Sequence, residues 1–225
     1  DVAVARYTPD GEIVWARRIG ADWKKSDQDK QIVLDRDGNA YVALIGGPGH
    51  VGGVPYSSTA GSFVTKLDDS GNSLWTRYLA PNSSTGNNLG LVVDDRDVNP
   101  ANWSLLVTGD FNGAAQFGSQ QFTSNGNDVF VSRLNASSGS FAWTKTMGGS
   151  ESQLAGAIAL DLAGDNGLYV AHSSVRKVNK TMVTDYVLSR LDPASGNTAW
   201  TKTFAAGMGT RYGHLQATGN SVYLG

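Results

Sequence analysis

Three groupings in the sequence carry residue types that could do chemistry. Asp35, Asp37 and Asn39, and again Asp94, Asp95 and Asp97, bring side-chain oxygens close together, as a calcium loop would. An EF-hand loop also needs a Gly after the third ligand and a Glu further on, and neither is present. An Asp-Gly turn between strands accounts for these residues better, so no cofactor is expected and calcium is the minor alternative. Gly47, Gly49 and Gly52 satisfy G-x-G-x-x-G. A dinucleotide site needs a helix to open there and face the pyrophosphate, and Gly53-Val54-Pro55-Tyr56-Ser57-Ser58 starts none. His50, His172 and His214 lie in different segments with no ligand spacing, and there is no G-x-S-x-G, no H-E-x-x-H and no cysteine. No catalytic residue is expected. Asn82, Asn102, Asn135 and Asn179 open N-x-S/T sequons, which become glycan sites only in a secreted eukaryotic context.

The elements that would position such residues follow from composition and repetition. Gly is 28 of 225 residues, against a usual share of roughly 7%, and with abundant Ser, Thr and Asn this suits an all-β chain with many turns. The formal charge of −2 argues against nucleic acid as a partner, and no apolar run is long enough for direct membrane insertion. Lack of cysteine excludes disulfides and thiolate metal sites and leaves the compartment open. The chain starts without Met and stops on Gly225 after Ser-Val-Tyr-Leu, so an excerpt of a longer polypeptide is the expectation.

Trp15, Trp75, Trp143 and Trp200 recur at spacings of 60, 68 and 57 residues. Four residues before each stands a glycine: Gly11, Gly71, Gly139 and Gly196. Nine or ten before each stands Arg6, Lys66, Arg133 or Arg190, and two after each stands Arg17, Arg77, Lys145 or Lys202. Each unit reads as a hairpin whose Gly takes the positive-φ turn position and whose Trp wedges between sheets. The cations on the last strand read as guards of an exposed edge. Between the hairpins lie second pairs of strands, at 31–45, 90–109, 156–171 and 214–224. Four antiparallel strands per repeat, named A to D, describe a β-propeller blade. The chain would open on C and D, run through three whole blades and close on A and B. It forms a single propeller domain or fragment over 1–225, with repeats near 1–60, 61–127, 128–184 and 185–225. The ring is either four-bladed or, as expected, part of a larger one.

Thr108-Gly109-Asp110-Phe111-Asn112-Gly113, Phe117-Gly118 and the run Thr123 to Leu134 resemble the β-propeller repeats of secreted and cell-surface proteins called SBBP repeats. Asp35 to Val42 is similar to that family's A-to-B turn and B strand. The turns before Trp143 and Trp200 resemble the tryptophan-docking motif of quinoprotein-like propellers. The resemblance implies an extracellular or cell-surface scaffold that binds proteins. One alternative is an adhesion or carbohydrate-binding propeller. The other is a quinoprotein-like enzyme domain, whose relatives in many cases use adjacent cysteines and calcium ligands, and this chain has no cysteine.

Antiparallel order puts the B-to-C and D-to-A connections at one end of each blade and the short A-to-B and C-to-D turns at the other. The long variable stretches 46–60, 110–127 and 173–184, with 19–30 and 79–89, all fall at the first end, where recognition is expected. Trp23, His50, Tyr56, Phe111, Phe122, Arg176, Lys177 and Lys180 are the candidate contacts there. The partner would be a protein or glycan, or neighbouring domains of a longer chain.

Overall fold

The computed structural model describes residues 2–21, 28–46, 49–51, 54–56, 61–80, 84–205, 214–219 and 221–225. Their regular structure is β-strand, apart from one 3-10 turn at Pro100–Asn102. The chain divides into two compact units, Asp1–Asn82 and Ser83–Gly225.

The first unit runs β1 (Val2–Tyr7), β2 (Ile13–Ala21), β3 (Gln28–Leu34), β4 (Ala40–Gly46), β5 (Gly49–Val51), β6 (Val54–Tyr56), β7 (Gly61–Leu67) and β8 (Ser73–Leu79). One antiparallel sheet has the order β3-β4-β7-β8 and the other β1-β2-β5-β6. The G-x-G-x-x-G stretch thus contributes a strand, β5, and opens no helix. The expected loop 46–60 contains a small hairpin that adds itself to the outer edge of β2, with Ile19 opposite Val51 and Ala21 opposite Gly49. Pro55 lies on β6, the edge strand of that sheet, where its missing N–H costs no ladder bond.

The second unit runs β9 (Ser84–Asp94), β10 (Ser104–Phe117), β11 (Gln120–Asn135), β12 (Phe141–Met147), β13 (Ser152–Leu160), β14 (Leu168–Val178), β15 (Thr181–Leu191), β16 (Thr198–Ala205), β17 (Leu215–Thr218) and β18 (Ser221–Leu224). β9 to β12 and β13 to β16 are four-stranded antiparallel meanders, and β17 pairs with β18. The order two strands, three fours, two strands is the one the repeat implies, with β5 and β6 as the addition.

Two expected loops are strands. β10 and β11 continue past the sheet margin to a two-residue turn, with Phe117 opposite Gln120 and Gly118 at φ 61, the type II′ pattern with Gly first. β14 and β15 continue to Val178 opposite Thr181, and Asn179 (φ 47) and Lys180 (φ 69) form a type I′ turn. Val175, Val178, Thr181, Val183 and Thr184 favour strand, so the chain extends where its lack of resemblance to the other repeats suggested a loop.

Each sheet turns apolar faces to its neighbours. Val2, Val4 and Ile19 pack on Val42, Leu44, Phe63 and Leu67 in the first unit. In the second, Leu106 and Val131 meet Ile158, Leu160, Leu168, Val170 and Leu191. The other face of that sheet, with Tyr169, Ala171 and Leu188, covers Leu215, Ala217, Val222 and Leu224. Each fully buried Val, Leu, Ile or Phe adds about 1.5–3 kcal/mol, which offsets the entropy of ordering these short strands.

Candidate functional site

The short turns are built from carboxylates. Asp35 ends β3 at the A-to-B turn, and its Oδ1 accepts the N–H groups of Asp37 (3.2 Å) and Asn39 (2.9 Å). Its Oδ2 accepts Asn39 Nδ2 at 2.9 Å and the Tyr41 hydroxyl at 3.0 Å, and buried Lys66 Nζ lies 3.4 Å away. Asp161 repeats the pattern, accepting the N–H groups of Ala163, Gly164 and Asp165. Burial pushes Asp161 up, but the N–H groups of Ala163, Asp165, Gly164 and Gly219 outweigh it and leave the carboxyl below its ordinary value. These oxygens organise turns, the role a strand-end Asp takes when it mimics a backbone acceptor.

The C-to-D turns receive the tryptophans. Trp15 Nε1 donates to Asp69 O at 2.8 Å, and a Cβ on Gly71 (φ +79) would stand 2.7 Å from the indole. Trp143 Nε1 donates to Pro193 O at 3.3 Å, and a Cβ on Gly196 (φ +73) would stand 2.9 Å from its ring. The glycine therefore does two jobs, taking a left-handed backbone and letting the ring of the preceding sheet lie flat on the turn. Arg17, expected as an edge guard, is a clamp instead. Its Nε donates to Gly71 O at 2.9 Å and its Nη2 to Ser70 O at 3.1 Å, while its guanidinium carbon sits 5.8 Å from the Trp15 ring centroid.

A groove of about 750 Å³ opens at this end of the second unit, lined among others by Asp94, Arg96, Asp97, Asn102, Arg133 and Asn135. Asp94 and Arg96 also line a second cleft of about 380 Å³, with Asp165, Arg190 and Asp192. Arg96 donates to both oxygens of Asp94, at 2.7 and 2.8 Å, and to the Asn166 side chain. That hydrogen bond from Arg96 is the main cause holding Asp94 below its ordinary range. The Ser195 hydroxyl does the same for Asp192. The repeat cations Arg6, Lys66 and Arg190 pair with Asp69, Asp35 and Asp165. Arg133 differs: it donates to Ser104 Oγ at 2.7 Å and leans on Ala194 O at 3.5 Å, because Arg96 occupies Asp94. Sequence reasoning missed this groove by assigning recognition to the opposite end. Its one visible signal is that residues 95–103 lengthen this A-to-B connection as an insertion relative to the other repeats, and they supply Arg96 and Asp97.

The expected contact residues scatter. Trp23 and Asn82 lie outside the described residues. His50 falls on β5 and Tyr56 on β6. Phe111 is fully buried, its ring 5.8 Å from Phe117 and 6.5 Å from Phe130, so it belongs to the core and not to a ligand face. The Gly-rich segment around it had suggested an exposed loop, whereas the β10–β11 extension holds it in an aromatic cluster. Phe122 is half-buried against Phe117. Arg176 pairs with Asp185, and Lys177 and Lys180 stand exposed at the β14–β15 tip. Asn102 Nδ2 donates to Asp97 at 3.1 Å. Asn135 is a turn organiser: its Nδ2 donates to Ala101 O at 2.9 Å and its Oδ1 accepts from Ser137 and Ser138, so a glycan there would disrupt the turn. Asn179 is exposed on its turn.

At the hairpin end the electrostatics reverse. Asp110 is 1% exposed, and neither carboxylate oxygen makes a hydrogen bond. Burial raises it to about 6, with the Ala155 and Asp110 N–H groups near enough to oppose the shift but outside bonding geometry. Burial also raises Asp128 and lowers His172. Gln153 Oε1 and His172 Nδ1 are buried and unpartnered as well. Among the described residues no three His, Asp or Glu side chains come together as a metal-binding group. Compared with known proteins, the chain matches no family model and no curated sequence.

Proposed function

We propose that these sheets are blades of a β-propeller, and that the chain serves as a non-catalytic interaction scaffold of a secreted or cell-surface protein. The support for blades is the tryptophan of one sheet docked on the glycine turn of the next, once in each unit, at Trp15–Gly71 and Trp143–Gly196. A stack fixed this way at one end leaves the other end of each sheet free to vary without loss of fold. The observation that carries the binding role is the pair of unequal hairpins, β10–β11 and β14–β15, that extend past the margins of their sheets. One is aromatic and tucked in; the other carries exposed Lys177 and Lys180. A rigid frame that presents dissimilar β-hairpins suits recognition of a protein surface, since the hairpin backbone is ordered before the partner arrives.

The test shortens each hairpin to a two-residue turn at the sheet margin and checks the fold by circular dichroism and urea unfolding. The immobilised protein is then probed with a panel of surface-protein ectodomains and a glycan array. Binding by the parent that disappears in a folded shortened variant supports the reading. Binding that survives both deletions sinks it, and a glycan-only response replaces it with the adhesion alternative.

A further inference from the structure

The hairpin-end half of the space between the β9–β12 and β13–β16 sheets is polar where the turn-end half is apolar. Directly opposite residues of an antiparallel ladder share a face. Asp110 is opposite Val129, and Val129 is opposite Met147, which packs on the core cluster that Leu106 and Val131 form with residues of the β13–β16 sheet. The Asp110 row therefore faces that sheet, and the approach of its carboxyl to the Ala155 N–H agrees. On the facing sheet Ala155 is opposite His172, and Gln153 is opposite Ser174. His172, Gln153 and Ala155 share the face that carries Ile158 and Val170, the core residues against Leu106 and Val131. Three side chains thus project into one space from two sheets. Their exposures are 1% for Asp110, 6% for Gln153 and 7% for His172.

Each of the three holds an atom with a lone pair and no partner: both Asp110 oxygens, Gln153 Oε1 and His172 Nδ1. A buried carboxylate without a counter-charge is among the most costly arrangements a core can contain. Asp185, opposite Ser174 in the Gln153 row, is already paired with the Arg176 guanidinium from the next row out. What the space lacks is an electron-pair acceptor with positive charge.

We propose that Asp110, Gln153 and His172 form a binding site for a divalent transition-metal ion of the manganese-to-zinc series. The donor set decides the class. Calcium and magnesium favour all-oxygen shells, whereas an imidazole nitrogen beside a carboxylate suits zinc and its neighbours. Among the described residues no three His, Asp or Glu side chains come together, so the unpartnered Gln153 amide oxygen serves as the third ligand and solvent completes the shell. Across that series affinity rises from manganese to copper and falls back at zinc, which still binds more tightly than manganese. The site needs neither the groove at the turn end nor the scaffold role, and it stands whether or not that role holds.

The experiment strips the full chain with EDTA and records thermal unfolding and titration calorimetry at pH 7 with ZnCl₂, MnCl₂ and CaCl₂. Zinc is expected to raise Tm by about 5 °C at a hundredfold excess over its Kd. Manganese should give a smaller rise, and calcium none. Asp110→Asn, which removes the uncompensated charge and so should fold without metal, is expected to lose the zinc response. His172→Gln should lose at least tenfold in zinc affinity. In Mn²⁺ the His172 imidazole resonances should broaden selectively. No response to zinc or manganese overturns the site, as does a response that survives in folded Asp110→Asn. A response to calcium alone overturns the metal class.

Discussion

The two ends of these sheets solve the burial of polar atoms in opposite ways. At the turn end every strand-end carboxylate described above meets donors. Asp35 has four hydrogen-bond donors and Lys66, Asp161 has turn N–H groups, and Asp165 has Arg190 at 2.8 Å. At the hairpin end Ser62 Oγ, Asp110, Asp128 Oδ1, Gln153 Oε1 and His172 Nδ1 are buried with no hydrogen bond. The pKa directions divide the same way, lowered for Asp94, Asp161, Asp165 and Asp192 and raised for Asp110 and Asp128. Asp185 is the exception at the hairpin end, held down by Arg176. The repeat encodes stability at one end only. At the other, each sheet has its own sequence and tolerates costs that the turn end does not.

The largest effect should come from breaking the saturated end. Asp35→Ala takes the carboxylate away from Lys66, a cation only 6% exposed that also lies over the Tyr41 ring, and removes the organiser of its turn. The expected loss is about 3–5 kcal/mol, read from urea midpoints at constant m-value. A loss below 1 kcal/mol would mean that Lys66 can reach solvent and that the turn end is less committed than its geometry implies. Next in size is a pair of glycine changes. Gly196→Ala forces a Cβ to 2.9 Å from the Trp143 ring at φ +73, which adds overpacking to left-handed strain, about 2–5 kcal/mol together. Gly11→Ala meets the same backbone penalty at φ +86 with nothing within 4 Å, so it should cost about 1–2 kcal/mol. Equal losses would show that the glycines serve the turn alone and that indole docking adds nothing.

Much of the turn end was legible because it is repeated. Fixed offsets among Gly, Trp and the cations identified the hairpins, the positive-φ position and the wedge. They could not reveal that Arg17 reaches the Gly71 carbonyl, since a cation beside an edge strand has two uses with one sequence signature. The hairpin end was misread for the same reason in reverse. Stretches 110–127 and 173–184 match no other repeat and contain turn-forming residues, so they read as loops, although Phe117, Phe122, Val175, Val178, Thr181, Val183 and Thr184 have strand propensity. Asp110 sat in a Gly-Asp-Phe-Asn-Gly run that reads as exposed. Its burial depends on the sheet that packs over it, which no local pattern records. The groove beside Arg133 was missed because it arises when Arg96, inside an insertion, takes the carboxylate that the repeat would have given to Arg133.

Asp110→Asn reverses the sign of the first prediction. The Asp110 carboxyl titrates at about 6 against an ordinary 3.8, so the folded chain binds that proton more tightly than the unfolded chain. Its contribution is favourable at low pH and is lost as pH rises from about 4 through about 6. His172, lowered by burial, acts oppositely, losing stability as pH falls below its ordinary 6.5. The difference between parent and Asp110→Asn isolates the Asp110 contribution. In chelator, the variant should be about 1–3 kcal/mol more stable above pH 7, and the gap should close toward pH 4. A gap that does not depend on pH would mean that Asp110 is paired in solution.

The smallest effect lies at the tip of β14–β15. Type I′ turns need positive φ at both central residues, and Asn tolerates the first far better than Lys tolerates the second. Lys180 sits at φ 69 with its side chain exposed, so Lys180→Gly removes strain without removing a core contact. In the C-to-D turns, Gly already occupies the positive-φ positions 11, 71, 139 and 196, and no equivalent gain is open in them. Lys180→Gly should therefore stabilise the protein by about 0.5–1 kcal/mol, Gly's larger unfolded-state entropy taking back part of the relief. The urea midpoint should rise with m unchanged. Because the substitution also deletes one of the exposed tip cations, it separates the two roles of the hairpin: greater stability with weakened partner capture is the outcome expected if the unstable end of each sheet is the end that binds.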